Sequence, residues 1–262
     1  MQRRPWLGVV LAFACGGGAA GEPTPVLVEL FTSEACSSCP PADALLAQLH
    51  ANQPIEGIDI IVLSQHVDYW NDLGWADPFS STEATARQRA YVGRLGLRSA
   101  YTPQVVVDGE AELVGGDEAG AVGAVRRAAT KPKARVALRV IEATRGRPVD
   151  TIRFEVVVSG LERTGREGPA DVVLAIVEDG LGVDVRAGEN VGRTLRHDGV
   201  VRELHVVGPV ADKADRLSLA TPRIALPSRW NRDHTRAVAF VQERRTGRIL
   251  GVDRCAVPAG RE

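Results

Sequence analysis

The sequence is short of charge imbalance, sulfur, aromatic rings and long apolar runs, and each shortage removes a class of function. Lysine plus arginine number 32 and aspartate plus glutamate 33, a formal net charge of −1. A chain without a basic surplus lacks the footprint that phosphate binding needs, which argues against nucleic acid as a partner. No apolar stretch approaches the roughly 20 residues of a membrane-spanning helix, so no transmembrane segment is expected. Four cysteines in 262 residues are too few to staple the fold, and the hydrophobic content of 44% is enough to bury a core without them. Methionine occurs only at position 1, so no thioether is at hand for a soft metal.

The N-terminus has its own texture. Arg3 and Arg4 precede an apolar stretch from Trp6 to Ala14, and small residues follow to about Ala20. A positive start, a short apolar centre and a small-residue exit form the pattern of a cleaved export signal. Residues 1–21 are therefore assigned to a leader, and the rest of the chain to an exported, periplasmic or secreted location. Cys15, followed by Gly16-Gly17-Gly18, offers a lipid-anchored alternative, which Ala12-Phe13-Ala14 disfavours because the middle position of a lipoprotein cleavage box is normally small. Removal of the leader leaves Cys36, Cys39 and Cys255, so at most one internal disulfide forms.

Val26–Phe31 reads as a buried strand, and Leu45, Leu46 and Leu49 recur at helical spacing after Pro40-Pro41, predicting a helix to about His50. Ile58–Leu63 reads as a second strand. Ser80-Ser81-Thr82-Glu83 has the spacing of a capping box, opening a helix to about Leu95. Gln104–Val107 and Glu110–Val114 flank Asp108-Gly109 as a hairpin, and Glu118–Ala129 reads as a helix. The order strand, helix, strand, helix, strand, strand, helix predicts an α/β thioredoxin-like domain over residues 22–130, a mixed sheet flanked by helices. Residues 131–134 read as a linker. Beyond them, β-branched runs at Val136–Ile141, Ile152–Val158, Val172–Val177, Val200–Val207 and Ala237–Gln242 predict an all-β sandwich-like domain over 135–262.

The chemistry centres on Cys36-Ser37-Ser38-Cys39. Two cysteines after a buried strand and at a helix start suit thiol–disulfide exchange. Cys36 is placed at the helix N-terminus, where unpaired N–H groups favour a thiolate, with Cys39 as the resolving thiol. A structural disulfide or half of a metal site are the alternatives. Pro103, behind Thr102, stands where thioredoxin-like folds carry a cis-proline facing the cysteines; a trans proline opening the strand is the plainer reading. His66 is an acid/base partner, a third metal ligand, or a histidine that orders its loop. Glu29 is a buried base for Cys39 or a structurally partnered carboxylate. Tyr69, Trp70, Trp75 and Phe79 either rim the cysteines for substrate or pack their loop down. Glu34 opposes a Cys36 thiolate. His197, Asp198, His205 and His234 show no ligand spacing and read as surface or hydrogen-bonded residues, and Cys255 as a small buried hydrophobe.

The stretch Val28-Glu29-Leu30-Phe31-Thr32-Ser33-Glu34-Ala35-Cys36-Ser37-Ser38-Cys39-Pro40-Pro41-Ala42-Asp43 resembles the signature of a family of secreted bacterial proteins, a thioredoxin-like domain-of-unknown-function family. His66–Trp70 with Gly74–Phe79, Tyr101–Val105, and Gly188–Asp198 resemble its further blocks. The resemblance implies a thioredoxin-like fold with a β-rich second part and supplies no reaction.

These readings combine into an exported thiol–disulfide oxidoreductase acting through Cys36 and Cys39 on a cysteine-containing protein, with Pro103, Thr102, Tyr69, Trp70 and Trp75 docking it and no cofactor. A copper-handling protein using both cysteines and His66, or a non-catalytic binding module, are the rivals.

Overall fold

The computed structural model describes residues 22–145, 149–210 and 216–258. The leader and Cys15 lie outside the described residues. In chain order the elements are β1 (Thr24–Thr32), α1 (Pro40–Asn52), β2 (Ile58–His66), α2 (Thr82–Arg94), β3 (Gln104–Val107), β4 (Ala111–Val114) and α3 (Glu118–Ala129), then strands with two short 3-10 turns at Leu161–Thr164 and Arg232–His234. Those strands are β5 (Arg135–Thr144), β6 (Asp150–Ser159), β7 (Ala170–Glu178), β8 (Leu181–Asp184), β9 (Thr194–His197), β10 (Val200–Val210), β11 (Arg216–Ala220), β12 (Ile224–Leu226), β13 (Thr235–Glu243) and β14 (Ile249–Ala256). No helix among the described residues is long and apolar enough to cross a membrane.

Alternation within β1 sets the N-terminal layers. Val26, Val28 and Leu30 point to α1 and α3, while Phe31 packs with Tyr91 of α2 on the opposite face. β1 and β2 run parallel, as the intervening helix requires, and β3 lies antiparallel to β1. Asp108 and Gly109 both have positive φ (47° and 70°) and are the central residues of a tight turn closed by the Glu110 N–H to Val107 O at 3.1 Å, between β3 and β4. The Asp108 carboxylate also accepts the Leu27 N–H at 3.0 Å, tying that turn to β1. α2 is capped by Ser81, whose side chain accepts the Ala84 N–H, one residue later than the sequence spacing suggests.

One eight-stranded mixed sheet, in the order β14-β13-β7-β10-β2-β1-β3-β4, runs through both halves of the chain. The join is narrow: β10 meets β2 at Val200 and Ser64, and the Ser64 N–H donates to Gly199 O at 2.6 Å. Residues 131–134, expected as a linker, are tied on both sides. Lys131 pairs with Glu110 and Lys133 with Asp108, and the Ala134 N–H donates to Leu250 O at 2.7 Å. A second sheet of β5, β6, β11 and β12 covers the C-terminal strands across a core that includes Phe154, Val156, Leu174, Ile176 and Val241. The predicted C-terminal strands are all present; β8, β9, β11, β12 and β14 were not foreseen.

Candidate functional site

Cys36 and Cys39 form a disulfide at the end of the loop between β1 and α1. The helix itself starts at Pro40, with Cys39 as its N-cap, so Cys36 lies in the preceding turn and not at the helix N-terminus, as the sequence had suggested. Pro40 and Pro41 carry no N–H, and the Ala42 and Asp43 N–H groups both turn to Cys39 O, at 2.8 and 3.1 Å. The first turn therefore has few free donors for a Cys36 thiolate. Both cysteines are fully buried, although Ser37 and Ser38 between them are exposed.

Their cover comes from the other half of the chain. Asn190, itself 0% exposed, donates its side-chain amide to Glu34 O at 2.8 Å and to Cys36 O at 2.9 Å. Glu189 accepts the Ser37 N–H at 3.0 Å, and the Ser37 hydroxyl together with that N–H holds its carboxyl below the usual range. Gly188, at φ 76°, sits where an added Cβ would meet Trp75 Cβ at 3.1 Å. The loop between β8 and β9 is thus a clasp over the cysteine turn. Asn190→Ala should remove the side-chain donor from Glu34 O and leave Cys36 O with the Cys39 N–H alone, at about 1–3 kcal/mol, and speed reduction of the disulfide by dithiothreitol. Unchanged reduction kinetics in a folded variant would refute the clasp.

Beneath the turn lies a cluster of acids and histidines. His66, at the end of β2, donates from Nδ1 to Asp77 Oδ2 at 2.7 Å, and this partner holds the Asp77 carboxyl below its usual range despite burial. Asp77 also accepts the Glu34 N–H at 2.9 Å. His197, at the end of β9, lies against His66 with ring centroids 4.8 Å apart, and its Nε2 meets Glu34 Oε1 at 3.2 Å. Trp75 donates its indole N–H to Glu34 Oε2 at 2.8 Å. Asp43, on α1, faces His197 Nδ1 at 4.0 Å, and burial pushes its carboxyl up to about 7 against the pull of His197. Four buried polar atoms here, Thr32 Oγ1, Asp43 Oδ1, His66 Nε2 and His197 Nδ1, have no hydrogen-bond partner.

Pro103 is brought near the first turn of α1. Its peptide bond with Thr102 is cis. Gly115, between β4 and α3, shows how near it lies to α1: an added Cβ there would fall 2.6 Å from Pro103 Cβ and 2.7 Å from Ala42 Cβ. The other predicted residues divide. Trp75 and Phe79 border the acid–histidine cluster. Tyr69 and Trp70 pack with Phe31, Val67, Tyr91 and Val106, and Tyr69 Oη donates to Gln88 Oε1 at 3.1 Å. Glu29 is occupied elsewhere, receiving Arg87 Nε at 2.6 Å, Arg87 Nη2 at 2.8 Å and Tyr91 Oη at 2.5 Å. Cys255 is a free, half-buried thiol, with its pKa pushed up to about 12 by burial and by Asp253. Among the described residues no group of three or more His, Cys, Asp or Glu is arranged to hold a metal ion.

His197 and Asn190 were the residues sequence reasoning passed over. Their only signal was membership of the Gly188–Asp198 stretch, one of the four that carried the family resemblance, and all four stretches meet at this site. That convergence agrees with the comparison to known families: a model described as "Protein of unknown function (DUF1223)" matches residues 27–242. The chain belongs to the DUF1223 family. No protein of curated function matches it. Among solved structures, this DUF1223 protein is similar to protein AGR_C_4864 from Agrobacterium tumefaciens, with 26% identity, a TM-score of 0.65, and coverage of 92% of this chain and 98% of that one. It also shares a fold with HBP35 of Porphyromonas gingivalis, at 16% identity and a TM-score of 0.64, over 90% of this chain and 76% of that one.

Proposed function

We propose that this DUF1223 protein is an exported thiol–disulfide oxidoreductase that acts through Cys36 and Cys39 on cysteines of other proteins. The observation that carries this reading is the disulfide between cysteines separated by two residues, seated on buried acid–base groups, with Pro103 near the first turn of the helix that follows. A bridge closing so small a loop contributes little chain-entropy stabilisation, so reactivity explains it better than support does. The order β2-β1-β3-β4, with parallel β1 and β2 and the cysteines between β1 and α1, supports a thioredoxin-like N-terminal part. The second sheet packed over the C-terminal strands supports a sandwich-like remainder. The leader and the oxidised pair support a location outside the cytoplasm. In catalysis the clasp opens, a partner thiolate attacks Cys36, and Cys39 leaves; in the other direction Cys39 resolves the mixed disulfide. Pro103 and Thr102 border the partner's docking position.

A redox titration of the chain in glutathione buffers, with thiol trapping and mass analysis, tests the proposal. Reversible two-electron exchange at roughly −270 to −120 mV is expected. Cys39→Ser should trap mixed disulfides at Cys36, whereas Cys36→Ser should exchange nothing. The full burial of both sulfurs favours a second reading, a structural disulfide in a binding module. A pair that stays oxidised below the glutathione range would establish that reading and end the first.

A further inference from the structure

Reducing a disulfide to two thiols takes up two electrons and two protons, and here both sulfurs are out of reach of water. The electrons arrive with a partner thiolate. The protons need a route, and no lysine or arginine lies between Val26 and His50 to hold thiolates instead.

We propose that Asp43, His197 and Glu34 form a proton relay for the cysteine pair, in which Asp43 exchanges a proton with Cys39 and His197 links Asp43 to Glu34. This rests on the thiol–disulfide reading and adds to it a part supplied by the C-terminal half of the chain. The Asp43 N–H donates to Cys39 O at 3.1 Å, and side chains four residues apart share one helix face. Asp43 Oδ1 is buried without a hydrogen-bond partner and faces His197 Nδ1, equally buried and unpartnered, at 4.0 Å. His197 Nε2 meets Glu34 Oε1 at 3.2 Å, and a ring that donates there has the Nδ1 lone pair free to accept. A protonated Asp43 is the donor that this lone pair lacks. Glu34 in turn accepts from Trp75, which is half-exposed, so the chain of groups reaches the surface there.

Charge counting points the same way. The groups facing His197 are Glu34 from the cysteine loop, Asp43 from α1, His66 from β2 and Asp77 from the following loop, with the Arg202 guanidinium stacked 5.2 Å over Phe79 beside them. Burial penalises a charged carboxylate, and a neighbouring histidine offsets that penalty unequally for the acids of this cluster. Asp77 is kept ionised by His66, so the proton falls to Asp43, the carboxyl that burial raises most clearly.

The step balances. A partner thiolate attacks Cys36 Sγ; the new S–S bond forms as the Cys36–Cys39 bond breaks, and the electron pair leaves on Cys39 Sγ. Asp43 passes its proton to that sulfur and is reloaded through His197 and Glu34. The partner's second thiolate attacks the partner sulfur of the mixed disulfide, and Cys36 leaves and is protonated. The two protons shed by the partner dithiol match those gained by Cys39 and Cys36, and the partner leaves as a disulfide. In the oxidising direction the Asp43 carboxylate takes the proton from Cys39.

The test uses the full chain and dithiothreitol as a dithiol that needs no docking. Infrared spectra of the protein should show a buried protonated-carboxyl band below pH 7 that fades as pH rises through about 7 and is absent in Asp43→Asn. The rate of reduction per dithiothreitol thiolate should fall as pH rises through about 7 in the wild type. Asp43→Asn should flatten that profile and slow reduction on its acid side by about 100-fold, and His197→Gln should displace its inflection. A wild-type spectrum without that band overturns the relay, and needs no variant to fold. Profiles unaltered in folded Asp43→Asn and His197→Gln overturn it too, while leaving the exchange reading intact. A pair that dithiothreitol does not reduce overturns both, and shows itself by mass before any profile is taken.

Discussion

Replacing Asp43 by asparagine should raise the stability of the protein above pH 7 relative to pH 4, by up to about 4 kcal/mol. The Asp43 carboxyl is raised from 3.8 to about 7 chiefly by burial, and every tenfold change in proton affinity is worth about 1.4 kcal/mol. A folded-state pKa above the unfolded one means that the native state binds the extra proton between about pH 4 and pH 7. Stability from this group is complete at the acid end, is lost progressively as pH rises through that window, and stays lost above it. Asparagine never ionises and escapes the loss. Urea unfolding of both proteins with the disulfide intact, at about pH 4, 6 and 8, measures the difference; groups common to both cancel. Parallel stability curves would show that Asp43 is not buried as described. The wild type therefore carries an ionisable group in its interior at a cost in stability, as functional sites commonly do.

The second large effect is expected at the opposite face of β1. Glu29 and Arg87 form an ion pair whose side chains are 1% and 8% exposed. Arg87 also donates to Gln242 of β13 at 3.0 Å, and Gln242 donates to Tyr91 Oη at 3.0 Å and to Gly247 O at 2.7 Å. The pair thus binds β1 and α2 to the C-terminal strands. Arg87→Met would strand a carboxylate in the interior, at about 3–5 kcal/mol. Adding Glu29→Gln should recover most of that loss, because the removed partner and not the missing attraction dominates the penalty. Urea unfolding of the two single variants and the double variant forms the cycle. Equal stability of Arg87→Met and wild type would contradict the geometry.

The parts of the fold that were legible in sequence are those governed by local pattern. Val26–Phe31 and Ile58–Leu63 are apolar on both faces and announce buried strands. The Asp108-Gly109 pair specifies its turn, and Leu45, Leu46 and Leu49 mark the face of α1. What escaped was set by distant partners. β14 carries Asp253 and Arg254 within a strand, and its Asp253 carboxylate accepts the Leu138 N–H of β5 at 2.7 Å, a contact that no local spacing reveals. β8 and β9 are four residues each, too short to show a period. The same limit applies to the site. Cys36, Cys39 and Pro103 follow from order along the chain, whereas His197 acquires its place only when β9 folds against α1. A histidine among arginines and glycines gives no sign that it is buried. Nor does the division at 131–134, clear as a change of texture, foretell a sheet that continues across it.

The distance along the chain between the cysteines and their cover has a consequence for biosynthesis. Asn190 follows Cys36 by 154 residues. At about 5–20 residues per second, the pair leaves the ribosome roughly 8–30 s before the loop that encloses it has been made. During that interval the two thiols are as open as those of any nascent segment. Oxidants and exchange partners then have free access, before the last third of the molecule covers the turn. A newly made copy thus meets oxidants and exchange partners first with its cysteines uncovered, and only later through the clasp.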